Sequence, residues 1–327
     1  MILTDDMKPD YRLFFLLLCL IFCACKKDLL VPSGTQQLTT NTEDDLNHIL
    51  FINDTLGFIA GGEKYFSSVL LRTTDGGNSW QPFTFTGPDS KAVYGLATNG
   101  KDIYGVGYDG KIYRCSKEGN DWQLIQSPAW EWFQRIAFNG PDQGFIVSGE
   151  GYRAGRIFKI DTAANLSLVD TFAFQLSDIR FAGSQTGYAC GYGAVLKTTD
   201  GGSSWQLQDI RGDFFRELAC IDPDQVWAVG YNGTIIHTAD GGRSWKKQRN
   251  GDNPLLKKYR LRSVCFRDSH TGYAAGDNGL LLKTKDGGEH WSEFERFTDK
   301  DIKCMTLGPD GSLWLAGGGG ILFHIRD

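Results

Sequence analysis

The stretch Thr198–Trp205, TTDGGSSW, decides the fold of this chain. Three other stretches repeat it, each after a short run of alternating apolar residues: TTDGGNSW at Thr73–Trp80, TADGGRSW at Thr238–Trp245 and TKDGGEHW at Thr284–Trp291. We expect the aspartate to accept N–H groups of its own turn, the two glycines to supply positive φ angles, and the tryptophan to cover the turn. The pattern therefore predicts structural hairpin turns at Asp75 and Trp80, Asp200 and Trp205, Asp240 and Trp245, and Asp286 and Trp291.

The spacing of these turns indicates a repeat architecture. If Asp327 is the aspartate of a last, truncated copy, it lies 252 residues after Asp75, which makes six intervals averaging 42 residues. Two weaker remnants fill the gaps, SKEGNDW around Lys117–Trp122 and KIDTAANL around Asp161. The chain therefore contains seven units.

Each unit also carries a first apolar strand and a glycine-rich second strand, such as RSVCF followed by GYAAGDNG at 272–279. Short strands separated by glycine-rich turns, without a helical period, are typical of propeller blades. The sequence predicts an all-β fold, a seven-bladed β-propeller of four-stranded antiparallel blades over residues 37–327. The last unit ends at FHIRD without an outer strand, so we expect Gln36–Thr40 to complete it and close the ring.

The first 24 residues have the pattern of a targeting segment. Lys8 and Arg12 precede Leu13–Phe22, an apolar run of ten residues that is too short to span a bilayer. The following CACKKD resembles a bacterial lipobox in which Cys25 is the lipidated residue.

This interpretation assigns residues 1–24 to a lipoprotein signal peptide and residues 25–36 to a tether. We expect a lipid-anchored protein of the bacterial cell envelope, in the outer membrane or facing the periplasm. Plain secretion and an uncleaved anchor are the alternatives. The choice of membrane and side stays open, as does a start at Met1 or Met7.

Composition excludes several functions. A net charge of −5 is not that of a general nucleic-acid binder. The cysteines beyond Cys25 lack CxxC spacing and lie in apolar strands, although a disulfide between Cys265 and Cys304 stays open. The five histidines are scattered, with no carboxylate or thiol at ligand spacing. We expect no metal and no cofactor.

A candidate site follows from blade geometry. The predicted hairpin turns lie on one face of the disc, and the links between blades lie on the other. Those links concentrate aromatic and arginine side chains, a mixture typical of protein or glycan interfaces. Arg216, Arg262 and Lys303 share one inner-strand position when the units are aligned. The predicted partner-binding residues are Trp130, Trp132, Arg135, Phe214, Arg216, Tyr259, Arg260 and Arg262. The alternatives are core packing for the aligned apolar residues Phe133, Phe215 and Leu261, and plain strand ends for the tyrosines of the short turns. For the basic residues between Arg243 and Arg262, the alternative is a solvated outer strand.

Two family resemblances follow from these motifs. The pattern Ser/Thr-x-Asp-x-Gly-x-x-Trp resembles the Asp-box of BNR/sialidase-type propellers. The unit TGYAAGDNGLLLKTKDGGEHW, with LRSVCF before it, resembles the repeat of photosystem II stability/assembly factors and their relatives in non-photosynthetic bacteria. This second resemblance covers roughly residues 37–327. It implies a periplasmic or lumenal scaffold whose arginine-rich patch engages partner proteins, with Arg216 and Arg262 as members of that patch.

The sialidase resemblance implies a glycoside hydrolase, which needs an arginine clamp, a Tyr/Glu nucleophile pair and an acidic proton donor. The family's Arg-Ile-Pro signature is absent near the start, and its usual blade count is six. We therefore expect a non-catalytic, monomeric scaffold for a protein partner that touches the membrane only through its lipid. Glycan binding and glycoside hydrolysis are the alternatives, with the nucleophile to be sought among Tyr108, Tyr192 and Tyr231.

Overall fold

The computed structural model describes residues 29–83 and 91–326, which form a ring of seven four-stranded antiparallel sheets. Each sheet is one blade, and in six of the seven the strands pair in chain order from the inside of the ring outwards. The predicted all-β, seven-bladed propeller is confirmed. Within the described residues, no helix reaches the length and hydropathy that a membrane crossing needs. Cys25, residues 1–28 and Asp327 lie outside the described residues.

Strand numbers rise from the innermost strand outwards in the first four blades. Blade 1 has β2 (Leu46–Phe51), β3 (Gly57–Gly61), β4 (Val69–Thr73) and β5 (Gln81–Phe83). Blade 2 has β6 (Val93–Thr98), β7 (Asp102–Gly107), β8 (Lys111–Ser116) and β9 (Gln123–Gln126). Blade 3 has β10 (Phe133–Phe138), β11 (Gly144–Glu150), β12 (Arg153–Ile160) and β13 (Leu166–Phe172). Blade 4 has β14 (Leu176–Ala182), β15 (Thr186–Gly191), β16 (Ala194–Thr198) and β17 (Gln206–Leu207).

The remaining blades follow the same order, except for the outer strand of the last one. Blade 5 has β18 (Phe215–Cys220), β19 (Val226–Gly230), β20 (Ile235–Thr238) and β21 (Lys246–Arg249). Blade 6 has β22 (Leu261–Phe266), β23 (Gly272–Gly276), β24 (Leu280–Thr284) and β25 (Ser292–Glu293). Blade 7 has β26 (Ile302–Leu307), β27 (Leu313–Gly317) and β28 (Leu322–Ile325), with β1 (Thr35–Gln37) as its outer strand.

The N-terminal strand closes the ring, as predicted. Thr35 lies opposite Ile325 and Gln37 opposite Phe323 in the β1–β28 pair. The regular pairing is three residues long and begins one residue before the predicted Gln36. Beyond it, the Thr40 hydroxyl donates to the carbonyl of Gly320 at 2.7 Å. β1 therefore covers the outer edge of β28, and the edge that remains at the rim of blade 7 is a strand of only three residues.

The apolar core lies between neighbouring blades. Between blades 5 and 6, the fully buried ring of Trp227 stacks on Phe266 with 3.8 Å between ring centroids. Its indole Nε1–H donates to the carbonyl of Gly287 at 2.9 Å. The five cysteines of the described residues are free thiols, so Cys265 and Cys304 are not bridged.

Each of the four repeated turns contains the same set of hydrogen bonds. In the turn of blade 4, Asp200 accepts the Ser204 N–H at 3.0 Å and the Ser204 hydroxyl at 2.6 Å. The Thr198 hydroxyl donates to Asp200 at 2.7 Å and accepts the Gly202 N–H at 2.9 Å. Gly201 and Gly202 have φ angles of 70° and 89°, a region that favours glycine. The predicted turn chemistry is confirmed, and the threonine adds an acceptor that we did not expect.

Candidate functional site at the channel entrance

The innermost strand of every blade has the same β-bulge near its start. In β22, Leu261 lies opposite Gly276 and Ser263 lies opposite Ala275. Arg262, between them, therefore has no residue opposite it on β23, and we call such a residue skipped. A bulge of this kind bends the strand and redirects the skipped side chain. The skipped residues, one from each blade, are Asn47, Tyr94, Gln134, Ser177, Arg216, Arg262 and Lys303.

The bulge brings two backbones close together and thereby requires a glycine. A Cβ atom on Gly276 would lie 1.7 Å from the carbonyl oxygen of Arg260, and a Cβ atom on Gly191 would lie 1.9 Å from that of Gln175. The residue after Gly276, Asp277, donates its N–H to the same Arg260 carbonyl at 3.0 Å. The glycine that ends the second strand in these units is therefore part of the geometry that shapes the channel entrance.

All seven skipped side chains line one cavity of about 390 Å³ at the entrance of the central channel, on the face that carries the blade links. We call it the entrance cavity. Its wall also contains Lys64, Trp132 and Arg135, together with the carboxylates of Asp45 and Glu63. Five of its lining side chains are basic and two are carboxylates. Every basic side chain except that of Arg216 forms an ion pair with a carboxylate of the described residues, so Arg216 is the group that favours an anionic ligand.

The basic residues of the cavity differ in their partners. Lys303 forms an ion pair with Asp45, and Arg262 forms ion pairs with Asp277 and Asp301. Arg216 has no hydrogen-bond or ion-pair partner among the described residues, and its guanidinium carbon lies 4.7 Å from the ring centroid of Phe214.

The pKa of Arg216 reflects this isolation. Burial and the nearby charges of Arg262 and Arg135 lower the pKa of Arg216 to about 10. The side chain keeps its proton at neutral pH and is a positive charge without a counter-ion. An anion bound beside it would supply the missing partner.

A buried ion network forms the floor of the cavity. Arg135 lies 3.6 Å from Asp178 and 3.6 Å from Glu217, and Arg180 reaches the same two carboxylates at 3.1 and 2.9 Å. Asp178 is fully buried and the side chain of Glu217 is 2% exposed. The two arginines balance the two carboxylates, so this floor adds no net charge to the entrance cavity.

Four of the eight predicted partner-binding residues, Trp132, Arg135, Arg216 and Arg262, line the entrance cavity. Phe214 contacts Arg216 as described. Trp130 is 70% exposed on the link between blades 2 and 3. Arg260 is also exposed and donates to the hydroxyl of Tyr231 at 3.1 Å.

Tyr259 differs from the other predicted residues. Its side chain is buried with 7% exposure, and its hydroxyl donates to Glu293 at 2.8 Å. The guanidinium of Arg249 covers the ring at 4.3 Å from the centroid. The structure does not bring Tyr259 to the entrance cavity, because the link turns its ring into the core between blades 5 and 6.

Sequence reasoning missed Tyr94 and Lys64, which both line the entrance cavity. The alignment that placed Arg216, Arg262 and Lys303 at one position reaches Tyr94 when it is extended to blade 2. Nothing in the repeat marks Lys64, because it lies in the connection between β3 and β4, which has seven residues in blade 1 but only two in blade 4 and three in blade 6. The described residues hold no group of three or more histidine, cysteine, aspartate or glutamate side chains that could bind a metal ion.

Comparisons with known proteins support the assembly-factor resemblance. Residues 209–298 match the family model described as photosynthesis system II assembly factor YCF48. A solved structure of YCF48 bound to a D1 peptide matches with a TM-score of 0.73 at 16% identity, covering 93% of this chain and 99% of its own. The chain resembles YCF48.

A second YCF48 structure, from Cyanidioschyzon merolae, matches with a TM-score of 0.71 at 17% identity, covering 90% of this chain and 99% of its own. Virginiamycin B lyase from Staphylococcus aureus matches with a TM-score of 0.73 at 13% identity, covering 90% of this chain and 99% of its own. No curated protein sequence matches this chain. The YCF48 family match contains two residues of the entrance cavity, Arg216 and Arg262.

Proposed function

We propose that this protein is a non-catalytic scaffold that binds a segment of a partner protein at the entrance cavity. The observation that carries the proposal is Arg216, a positive charge in the cavity with no partner among the described residues and with Arg262 beside it. A guanidinium binds a carboxylate through two parallel hydrogen bonds, which gives both energy and orientation. The partner segment therefore carries a carboxylate that pairs with Arg216.

The surroundings of Arg216 suit a protein partner. Phe214 lies beneath the guanidinium, and Trp130 projects from the same face with 70% exposure. Arginine and tryptophan are enriched among the residues that contribute most to protein interfaces. The solved YCF48 structure with a D1 peptide supports a peptide ligand for a propeller of this kind.

Tyr108, one of the three tyrosines considered as nucleophiles, lacks the environment of one. The hydroxyl of Tyr108 forms a hydrogen bond with that of Tyr65 at 2.8 Å. Burial, together with this hydrogen bond, raises the pKa of Tyr108 to about 12. A nucleophile needs its pKa lowered or a base beside it, so this change is in the wrong direction. Tyr108 therefore lacks the activation that a nucleophile needs.

We also propose that Cys25 anchors the scaffold to a membrane of the bacterial cell envelope. The lipobox-like CACKKD sequence after a short apolar run supports this assignment. A single acyl chain binds a bilayer only marginally, so the anchor has the several chains of a mature lipoprotein.

The experiment compares wild-type protein with Arg216→Gln and Arg216→Glu in affinity capture from detergent-solubilised membranes. Replacing Arg216 is cleaner than also replacing Arg262, because Arg262 holds Asp277 and Asp301 in place. We expect Arg216→Glu to lose at least about tenfold of the captured partner, the equivalent of about 1.4 kcal/mol. Arg243→Gln, an exposed arginine on the opposite face, is the control and keeps wild-type capture. Equal capture by wild type and Arg216→Glu would contradict the proposal.

A second candidate function is glycan binding at the same face. Tyr152 and Tyr192 are both about half exposed, with 5.0 Å between their ring centroids, and both rings contact Phe214. An exposed pair of rings of this kind can stack on a sugar. Binding of an acidic oligosaccharide that is lost in Tyr192→Ala, with protein capture unchanged, would favour this alternative. Turnover of a sialoside would instead favour the hydrolase.

A further inference from the structure

Lys64 lies in a cage of aromatic rings at the wall of the entrance cavity. Its Nζ lies 5.0 Å from the ring centroid of Tyr65, 4.8 Å from that of Tyr108 and 4.6 Å from that of Trp132. Glu150 closes the fourth side, with its Oε1 at 2.6 Å from Nζ. Three ring faces and one carboxylate form a receptor for an ammonium or guanidinium group. We call these four side chains the lysine cage.

The lysine cage is assembled from three blades. Tyr65 belongs to blade 1, Tyr108 to blade 2 and Glu150 to blade 3, while Trp132 comes from the link between blades 2 and 3. Tyr65 and Tyr108 are held at 4.6 Å between centroids by the hydrogen bond of their hydroxyls. Tyr108, Trp132 and Glu150 lie outside the connection that carries Lys64, whereas Tyr65 is the next residue on it, so three of the four cage side chains are independent of that connection.

Lys64, the occupant of the cage, lies on the connection between β3 and β4, which is longer than the corresponding connections in blades 4 and 6. Residues 62–68 connect β3 to β4 with seven residues, whereas the corresponding connections have two residues in blade 4 and three in blade 6. Phe66, two positions after Lys64, is 82% exposed, and the Lys64 side chain is itself 32% exposed. The cage therefore opens to solvent, and its occupant can leave without disturbing a strand.

We propose that the lysine cage is a binding site for a lysine or arginine side chain of the partner, and that Lys64 occupies it in the free protein. Lys64 and Trp132 both line the entrance cavity, so a segment held there lies beside the cage. This deepens the proposed function and rests on it for the identity of the ligand. The partner segment then carries a carboxylate for Arg216 and a cationic side chain that displaces Lys64.

A simpler explanation is that Lys64 only ties blades 1, 2 and 3 together. The two explanations differ in what happens when the cage is emptied. If Lys64 is only a tie that holds the rings together, its removal lets them separate, and the variant binds no added cation. If the cage is a receptor, removing its tethered occupant lets a free cation enter, because a tethered group competes at an effective concentration on the order of millimolar.

The test measures the binding of tetramethylammonium and of Nα-acetyl-lysine methylamide by ligand-observed NMR, without any partner protein. We expect Lys64→Ala to bind both probes at least about tenfold more tightly than wild type. Adding Trp132→Ala to Lys64→Ala should remove this binding. Lys197→Ala is the matched control, because Lys197 lies over the single ring of Tyr188, at 5.7 Å, and its loss should create no site.

Lys64→Ser also empties the cage and should give the same result, so the test does not depend on one variant. Circular dichroism melts confirm that each variant is folded. Folded Lys64→Ala and Lys64→Ser proteins that bind neither probe would overturn the proposal. That outcome is distinct from a failure of the proposed function, which is measured by partner capture with Arg216 variants.

Discussion

Arg180 of blade 4 forms an ion pair with Glu217 of blade 5, with 2.9 Å between Nη2 and Oε1. Glu217 also accepts the N–H of Val264 in blade 6 at 2.9 Å and the hydroxyl of Ser263. One carboxylate therefore joins three blades beneath the entrance cavity. Burial raises the pKa of Glu217, and the neighbouring charges of Arg180 and Arg135 act in the opposite direction.

The first prediction concerns this buried carboxylate. Glu217→Ala leaves Arg135 without one of its two counter-ions and the Val264 N–H without its acceptor. Breaking a buried ion pair from one side costs roughly 3–5 kcal/mol. We expect a loss of unfolding free energy of that size in urea titrations. Glu289→Ala is the control, because Glu289 pairs with Lys246 at the surface and should change stability by less than about 1 kcal/mol.

The second prediction concerns the turn aspartates and pH. Hydrogen bonds from the Ser204 hydroxyl, the Ser204 N–H and Thr198 lower the pKa of Asp200 from 3.8 to about 2. The ionised carboxylate is favoured in the folded state, so its contribution is complete above about pH 4 and is lost as the pH falls towards 2. The pKa values of Asp75, Asp240 and Asp286 are also lowered to about 2. We therefore expect the melting temperature of the protein to fall as the pH is lowered from about 4 to about 2.

Asp200→Ala should lower the melting temperature at neutral pH by a few degrees and weaken its dependence on pH between about 4 and 2. Asp209→Ala is the control, because Asp209 is an exposed aspartate in the link after β17, and its replacement should leave both quantities unchanged. Partner capture by folded Asp200→Ala should equal that of wild type. A folded Asp200→Ala protein that no longer captures the partner would place partner binding on the face of the hairpin turns.

The third prediction concerns the anchor. Cys25→Ser removes the thiol that we propose receives the lipid, so the protein should move from the membrane pellet to the soluble fraction. Cell fractionation followed by immunoblotting measures this directly. Cys19→Ser is the control and should leave the protein in the pellet. Membrane association that survives Cys25→Ser would refute lipid anchoring at this residue.

Much of the fold could be predicted because the repeat is encoded in turn residues. The Asp-Gly-Gly turn at Asp200 needs specific side chains and backbone angles, so its copies are visible in the sequence and count the blades. Ring closure followed from a missing outer strand after Ile325, and it required no knowledge of packing.

The candidate site was only partly predictable, because long-range contacts decide which basic residues are free. Arg216 and Arg262 occupy equivalent positions, yet Arg262 forms ion pairs with Asp277 and Asp301. Arg216 has no ion-pair partner among the described residues and lies over the ring of Phe214. Tyr259 looked like an interface residue, but Glu293 from another strand holds it in the core. Pairing between distant strands is not visible in a local pattern.

The most direct test of partner binding at the entrance cavity is site-specific photo-crosslinking in intact cells. A photoreactive phenylalanine replaces Trp130 on the link face, or Ser203 on the opposite face as the control; both positions are exposed. We expect the Trp130 position to crosslink a partner protein and the Ser203 position to give none, with the crosslink lost in Arg216→Glu. Crosslinking from Ser203 alone, or from Trp130 regardless of Arg216, would contradict binding at the entrance cavity.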